Sequence, residues 1–419
     1  MMTAAILGLG GRGRHIYAPF FKQNSHVKLV AIAEIRPDVL EKVAGEYDIP
    51  ADKCFHSAEE FLAQPKMCDI VLVCTLDQHH YAHSKQAIKL GYHLIMEKPI
   101  AQTYEQCLEI EALTKQYHTR TAVCHVLRYS PFFCVMKDIL KNGNVGKIVN
   151  INHTENVGYW HQAHSYVRGN WRNSKETVPM ILAKCSHDLD IIYWMMDSRC
   201  KRVSSFGRNL IFNSDNAPEG CSERCLDGAC KVKESCVYDA EKIYMTNETT
   251  GINHGNTDWP NFILTDDLTP AGIENALRTG PYGRCVYHCD NNVVDTQVTN
   301  MEFENGATAT LTMTAFSKEI YRSMQIHCSE AEIVADMMKN IITVHYFNGK
   351  TDVHDIGNYS ENLAGHGGGD IRFFNDFIDS IVDPNAPPSP TNLFVSMVSH
   401  SMAFAAEQSR INGGKVVEL

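Results

Sequence analysis

The chain has 419 residues, 44% of them hydrophobic and 21% charged, ample for two or three domains with substantial cores. A net charge of −11 without a basic cluster sets a nucleic-acid partner aside, and no apolar run reaches the roughly 18 residues of a membrane span. A nucleotide-type motif begins at Thr3 and leaves no room for a signal peptide, so a cytoplasmic protein is expected; its fifteen cysteines then serve packing, chemistry or metal rather than a disulfide framework.

Residues 3–14 carry an apolar run into Gly8, Gly10 and Gly13, the G-x-G-x-x-G spacing, with Gly11 and Arg12 inside the loop. A strand, a tight turn and a helix N-terminus would offer backbone N–H groups to a pyrophosphate. A structural glycine turn can look the same. Here, however, the next apolar run, residues 27–34, ends at Glu34, where a ribose hydroxyl needs an acceptor. NAD is the expected cofactor, and Arg36 keeps NADP open because an arginine can accommodate a 2′-phosphate.

Short apolar runs and helical patterns alternate to about residue 125, the signature of βαβ units. Ser57 with Glu60 and Thr103 with Gln106 form capping boxes. A buried strand over 69–75 ends at Thr75, just before Asp77 and His80. A helix over 79–90 stops at Gly91, and a strand over 92–96 runs into Glu97, Lys98 and Pro99. Residues 1–125 are thus expected to form a Rossmann dinucleotide-binding domain, and 126–419 a second domain.

The second half changes grammar. A strand is expected over 148–156 and a helix over 179–196. Residues 301–313 read as a hairpin around Asn305 and Gly306 with threonines on one face, and Asn348 and Gly349 mark another. These strands predict an antiparallel sheet with one buried face, whose other face is covered by solvent, helices or a partner subunit. A proline-rich turn at 383–390 precedes a C-terminal helix over 391–411. Between about 213 and 290 periodicity fades while cysteines, prolines and glycines gather.

Gly8-x-Gly10-x-x-Gly13, residues 75–80, Glu97-Lys98-Pro99 and His187-x-x-Asp190 together resemble the Gfo/Idh/MocA family of sugar and inositol dehydrogenases. The resemblance spans nearly the whole chain. It implies an α/β fold with a Rossmann domain and a C-terminal α/β domain with a large, open, mainly antiparallel sheet, homo-oligomerisation (dimer or tetramer) through that sheet, and a carbohydrate or polyol substrate. It also implies that Lys98 holds the reacting hydroxyl near the nicotinamide and that His187 takes its proton, roles that suit a cation and a near-neutral base. One position departs. The family's aspartate one turn before the histidine is Ala183 here, which leaves Lys184, Asp188 or Asp190 to substitute, or a different chemistry.

Residues 159–172 place Trp160, His161, His164, Arg168, Trp171 and Arg172 together, rings and forked donors of the kind a sugar site uses, although a packed structural turn would look similar. His366, before three glycines and Asp370, is expected to line the site. Cys221, Cys225, Cys230 and Cys236 lack C-x-x-C knuckles. Zinc held by Cys225, Cys230 and Cys236 with a fourth ligand nearby would order a segment lacking a core of its own; packed free thiols, or a site completed by His254, Cys285 or Cys289, are alternatives.

The expected function is NAD-dependent oxidation of a sugar, glycoside or cyclic polyol hydroxyl. The alternative is an NAD-dependent glycoside hydrolase or lyase working by transient oxidation, elimination and re-reduction.

Overall fold

A computed structural model describes residues 1–358, 364–383 and 385–419; Pro384 of the expected proline-rich turn lies outside these. Six strands, β1 (Met2–Leu7), β2 (Val27–Ala33), β3 (Cys54–Phe55), β4 (Ile70–Val73), β5 (His93–Met96) and β6 (Thr121–Val123), form one sheet in the order β3-β2-β1-β4-β5-β6. Every pairing is parallel. Residues Ile70 to Val73 are fully buried, as a parallel strand covered on both faces requires. Strand order reverses between β1 and β4, which opens a crevice at the strands' carboxyl ends.

Local signals act as expected here. Ser57 accepts from the Glu60 N–H and Thr103 from the Gln106 N–H, capping their helices. The helix expected at 79–90 begins two residues earlier, as Asp77–Lys89. The sheet's cover, however, comes partly from far down the chain. Phe373, Phe374, Phe377 and Ile378 of the helix Ala364–Val382 join the core on one face, and Leu393 and Met397 of the helix Leu393–Ile411 join it on the other.

The second sheet has nine strands: β7 (Ile148–Asn156), β8 (Cys200–Arg208), β9 (Thr296–Phe303), β10 (Thr308–Thr314), β11 (Tyr321–Cys328), β12 (Ala331–Asp336), β13 (Ile341–Tyr346), β14 (Thr351–Asp355) and β15 (Val417–Glu418). Its order is β14-β13-β12-β11-β7-β10-β9-β8-β15, and all neighbours are antiparallel except β7 with β10. The β9–β10 hairpin turns at Gly306, where φ is +85°, and points Ala309, Leu311 and Met313 into the core with threonines outward. The helices Ser186–Met196 and Leu393–Ile411 contribute to that core.

Two expectations change. The helix over 179–196 is two helices, Met180–Ala183 and Ser186–Met196, interrupted at Lys184 and Cys185. The 213–290 segment does have a core: Leu226, Tyr244, Ile273, Leu277 and Val286 pack with Phe212, Ala163 and Val167. Burial of apolar area therefore contributes to its order, contrary to the expectation of a segment lacking a core of its own. Among the described residues no helix is long and apolar enough to cross a membrane.

Candidate active site

The glycine loop turns at the end of β1. At Gly8, φ is +89° and a Cβ would sit 2.7 Å from the Cys74 carbonyl; at Gly13 it would sit 2.0 Å from the Gly8 carbonyl. Only glycine fits either place. A Cβ on Gly10 would instead meet nothing within 4 Å, so the middle of the loop faces open space of the kind a pyrophosphate needs. Glu34 is buried just beyond β2, its carboxylate accepting from Leu9 N–H at 2.7 Å and from Arg36 Nε at 3.0 Å. The residues present fit a dinucleotide.

Arg12 leaves this loop to reach Glu97 at 2.5 Å and Asp370 at 2.6 Å. Against the upward push of burial, Arg12 and Lys98 hold the Glu97 carboxyl below its ordinary range. Asp370 reaches Arg12 because its helix crosses the 126–129 turn closely: a Cβ on Gly369 would lie 2.1 Å from the Val126 carbonyl. Asp370 also accepts from His366 Nδ1 at 3.0 Å, and the His366 ring lies 5.5 Å from that of His187.

Lys98 follows β5 at the crevice mouth and donates from Nζ to the Ala183 carbonyl at 2.6 Å. The interruption at Lys184 and Cys185 explains the acceptor, since a carbonyl at a helix end lacks its intrahelical partner. Thus the position where the family carries an aspartate supplies a backbone oxygen instead. Burial lowers the Lys98 pKa, while Glu97 and Asp77 oppose the shift. Burial, then the Lys98 charge and His366, push His187 well below its ordinary value, so its imidazole is neutral at pH 7. His187 Nδ1 is buried without a hydrogen-bond partner among the described residues.

Behind His187 lies a buried ionic network. Lys184 pairs with Glu155 at 3.0 Å, Arg322 reaches Glu155 at 2.9 Å and Asp188 at 2.8 Å, and His153 contacts Asp188 at 2.7 Å. Burial would raise Asp188, but Arg322 and His153 outweigh it and hold the carboxyl low. Its charge is already spoken for.

Residues 2–125 match the model of an oxidoreductase family with an NAD-binding Rossmann fold, and residues 137–416 match that family's C-terminal alpha/beta domain. The chain belongs to the Gfo/Idh/MocA family. A Comamonas testosteroni protein named 1-carboxy-3-chloro-3,4-dihydroxycyclo hexa-1,5-diene dehydrogenase is 23% identical over 68% of this chain and 71% of its own. The 2,7-anhydro-N-acetylneuraminate hydratase of Escherichia coli is 25% identical over 50% of this chain and 54% of its own. The aldose-aldose oxidoreductase of Caulobacter crescentus, solved with glycerol, superposes with a TM-score of 0.68 at 15% identity, covering 100% of this chain and 99% of that one.

Within this Gfo/Idh/MocA oxidoreductase the residues expected to touch cofactor or substrate divide into groups. Thr75, Asp77 and His80 gather beside Lys98: His80 bridges the Thr75 and Pro99 carbonyls, Thr75 contacts His83, and Asp77 accepts from the Trp171 indole at 2.9 Å. Trp160 and His161 join Trp259, with ring centroids 4.8 and 4.9 Å away, in an aromatic wall. Burial and the Lys184 charge push His161 well below its ordinary value.

Others are occupied elsewhere. Arg168 is fully buried and donates to the Arg284 and Tyr238 carbonyls at 2.7 and 2.6 Å, clamping the insert rather than facing substrate. His164 is buried between Tyr244 and Tyr282, and Arg172 pairs with Asp290 at 2.8 Å. Asp190 accepts from two of the three Arg128 nitrogens, Nε and Nη2, at 2.7 and 2.8 Å. Among the described residues Cys225, Cys230 and Cys236 form no metal-binding cluster, whereas Cys221 and Cys285 gather with His288.

Three further residues have no site role expected from the sequence. Trp259 comes from the unpatterned insert. Asp370 was read only as the end of a glycine run. His125 follows β6, its ring 5.6 Å from both His187 and His400, with neither nitrogen hydrogen-bonded among the described residues. Its place just past the carboxyl end of a parallel strand was the available signal. The insert also touches the nucleotide loop: Phe262 stacks on His15 at 4.0 Å, and Arg14 reaches Asp266 at 3.0 Å.

If Asp190 is structural, Arg128→Met strands a buried carboxylate and is expected to destabilise the fold by about 3–5 kcal/mol, with Arg128→Met/Asp190→Leu recovering much of it. Denaturant unfolding of both variants measures this; a single variant as stable as the parent would show that the pair holds nothing.

Proposed function

We propose that this chain is an NAD-dependent oxidoreductase acting on a hydroxyl of a sugar, glycoside or cyclic polyol, divided near residue 125 into cofactor and substrate domains. The meeting of Lys98 and neutral His187 at the carboxyl edge of the parallel sheet carries this reading. The Gly8–Gly13 loop and Glu34 would hold NAD, which would supply the hydride acceptor for the carbon bearing the hydroxyl. His187 takes the hydroxyl proton, and the Lys98 ammonium, steadied by the Ala183 carbonyl, donates to the oxygen as negative charge develops on it. Lys184, paired with Glu155, acts through charge on its neighbours. Trp160, His161, Trp171 and His366 line the substrate's side. The outer row Thr310, Asn152, Gln325, Val334, Thr343 and Val353, uncharged across six strands, supports a homo-oligomer formed through the open sheet.

Glu34 should accept from a ribose 2′-OH and repel a 2′-phosphate. NADH is therefore expected to bind more tightly than NADPH in fluorescence titrations, and equal or tighter NADPH binding refutes the preference.

Lys98→Met and His187→Ala should each lower turnover about a hundredfold or more while cofactor binding persists. Because His187 is depressed, it stays an unprotonated base as pH falls, and the acid limb of kcat/KM lies below the ordinary histidine range of about 6.5. Lys98→Met removes a cation that lowers it, so the residual activity's acid limb should move upward. A limb unmoved by the loss of Lys98 counts against His187 as the base.

The carboxylate-oriented pair His366–Asp370 supports a second reading, redox-neutral cleavage of a glycoside, because elimination beside a transient ketone needs a second acid–base group. Turnover in deuterated water distinguishes the two. Oxidation gives NADH stoichiometric with product and requires no exchange of the neighbouring C–H. Aglycone release without net NADH, with deuterium beside the oxidised carbon, establishes cleavage.

A further inference from the structure

The insert brings three metal-binding side chains to one place. Residues Arg224 and Arg284 form a short antiparallel bridge, with the Cys225 N–H donating to the Gly283 carbonyl and the Cys285 N–H to the Glu223 carbonyl, each at 2.9 Å. Cys221 and Cys285 thus approach from its two sides. From there Cys285-Val-Tyr-His288 turns back on itself, the His288 N–H donating to the Cys285 carbonyl at 3.1 Å. The Cys221 Sγ lies 3.2 Å from His288 Nε2, and the Cys285 Sγ lies within 4.8 Å of both. The other ring nitrogen, Nδ1, faces Glu223 at 4.0 Å.

We propose that Cys221, Cys285 and His288 bind a zinc ion, with water as the fourth ligand. Zinc takes sulfur and imidazole nitrogen at about 2.0–2.3 Å, which in a tetrahedron sets donors about 3.5–3.8 Å apart, so the observed spacing needs only a small adjustment. Soft thiolates with imidazole select zinc over magnesium or calcium. Binding releases the two thiol protons to solvent, and the two thiolates balance the ion's charge. Glu223 then stands where a carboxylate orients a metal-bound histidine through its second nitrogen. Cys221 and His288 are only partly buried, which leaves the fourth position open to water. The ion ties the start of the insert to its end, across the carbonyls that Arg168 holds.

Full-length protein purified without chelator is expected to carry about one zinc per chain by elemental analysis. Cys285→Ser and His288→Ala should each lower that content about tenfold or more, while Cys236→Ser keeps it, because Cys236 lies outside the cluster. Cobalt exchanged into the unmutated protein tests the same ligands without relying on the variants' folding, and should show thiolate-to-cobalt charge transfer with a tetrahedral ligand-field spectrum. Native protein without metal, metal content unchanged in both ligand variants, or a cobalt adduct lacking thiolate charge transfer overturns the proposal.

Discussion

The Lys98–Ala183 hydrogen bond is the contact on which the rest of the site depends. It joins the end of a parallel strand to an interruption between two helices of the other sheet's layer, at 2.6 Å. A charge-assisted bond of this kind is worth roughly 1.5–3 kcal/mol, enough to select one arrangement of the two halves. It also depends on local structure, because a continuous helix through 184 and 185 would commit the Ala183 carbonyl elsewhere. A broken helix and a buried lysine are therefore two aspects of one constraint.

Charges around this bond are arranged by difference. On the nucleotide side Arg12 is paired with two carboxylates, Glu97 and Asp370. On the opposite side Arg322 is paired with Asp188 and Glu155, and Lys184 shares Glu155. His187 lies between these groups with Lys98 nearest in influence after burial, followed by His366, His125 and Arg322, all of which oppose charging it. Burial and the neighbouring cations keep the His187 imidazole neutral, which is the state a proton acceptor requires.

The parallel sheet was legible because buried βαβ strands announce themselves as apolar runs, and because capping residues act over three or four positions. The hairpins at Gly306 and Gly349 were legible for the same local reason. The break at Lys184 was not, since the group that uses the freed Ala183 carbonyl is Lys98, distant in sequence. The site was readable where a residue's role follows from its own neighbours, as for Gly8, Glu34 and Lys98. It was misleading where a charged side chain has a remote partner: nothing near Arg168 or Asp190 reveals the carbonyls or the arginine that consume them. Likewise Cys285 and Cys221 are apart in sequence, and only the bridge at Arg224 and Arg284 makes them neighbours.

The Arg168 clamp has a consequence for how such enzymes diversify. Its guanidinium belongs to the scaffold, yet the oxygens it binds belong to the insert, and Phe262 and Asp266 of that insert rest on His15 and Arg14 beside the glycine loop. Removing the insert would leave a buried cation without acceptors and uncover the nucleotide loop's flank. A change of specificity by grafting this segment between relatives must therefore carry Arg168, Arg14 and His15 along with it, as a single inherited module rather than an exchangeable loop.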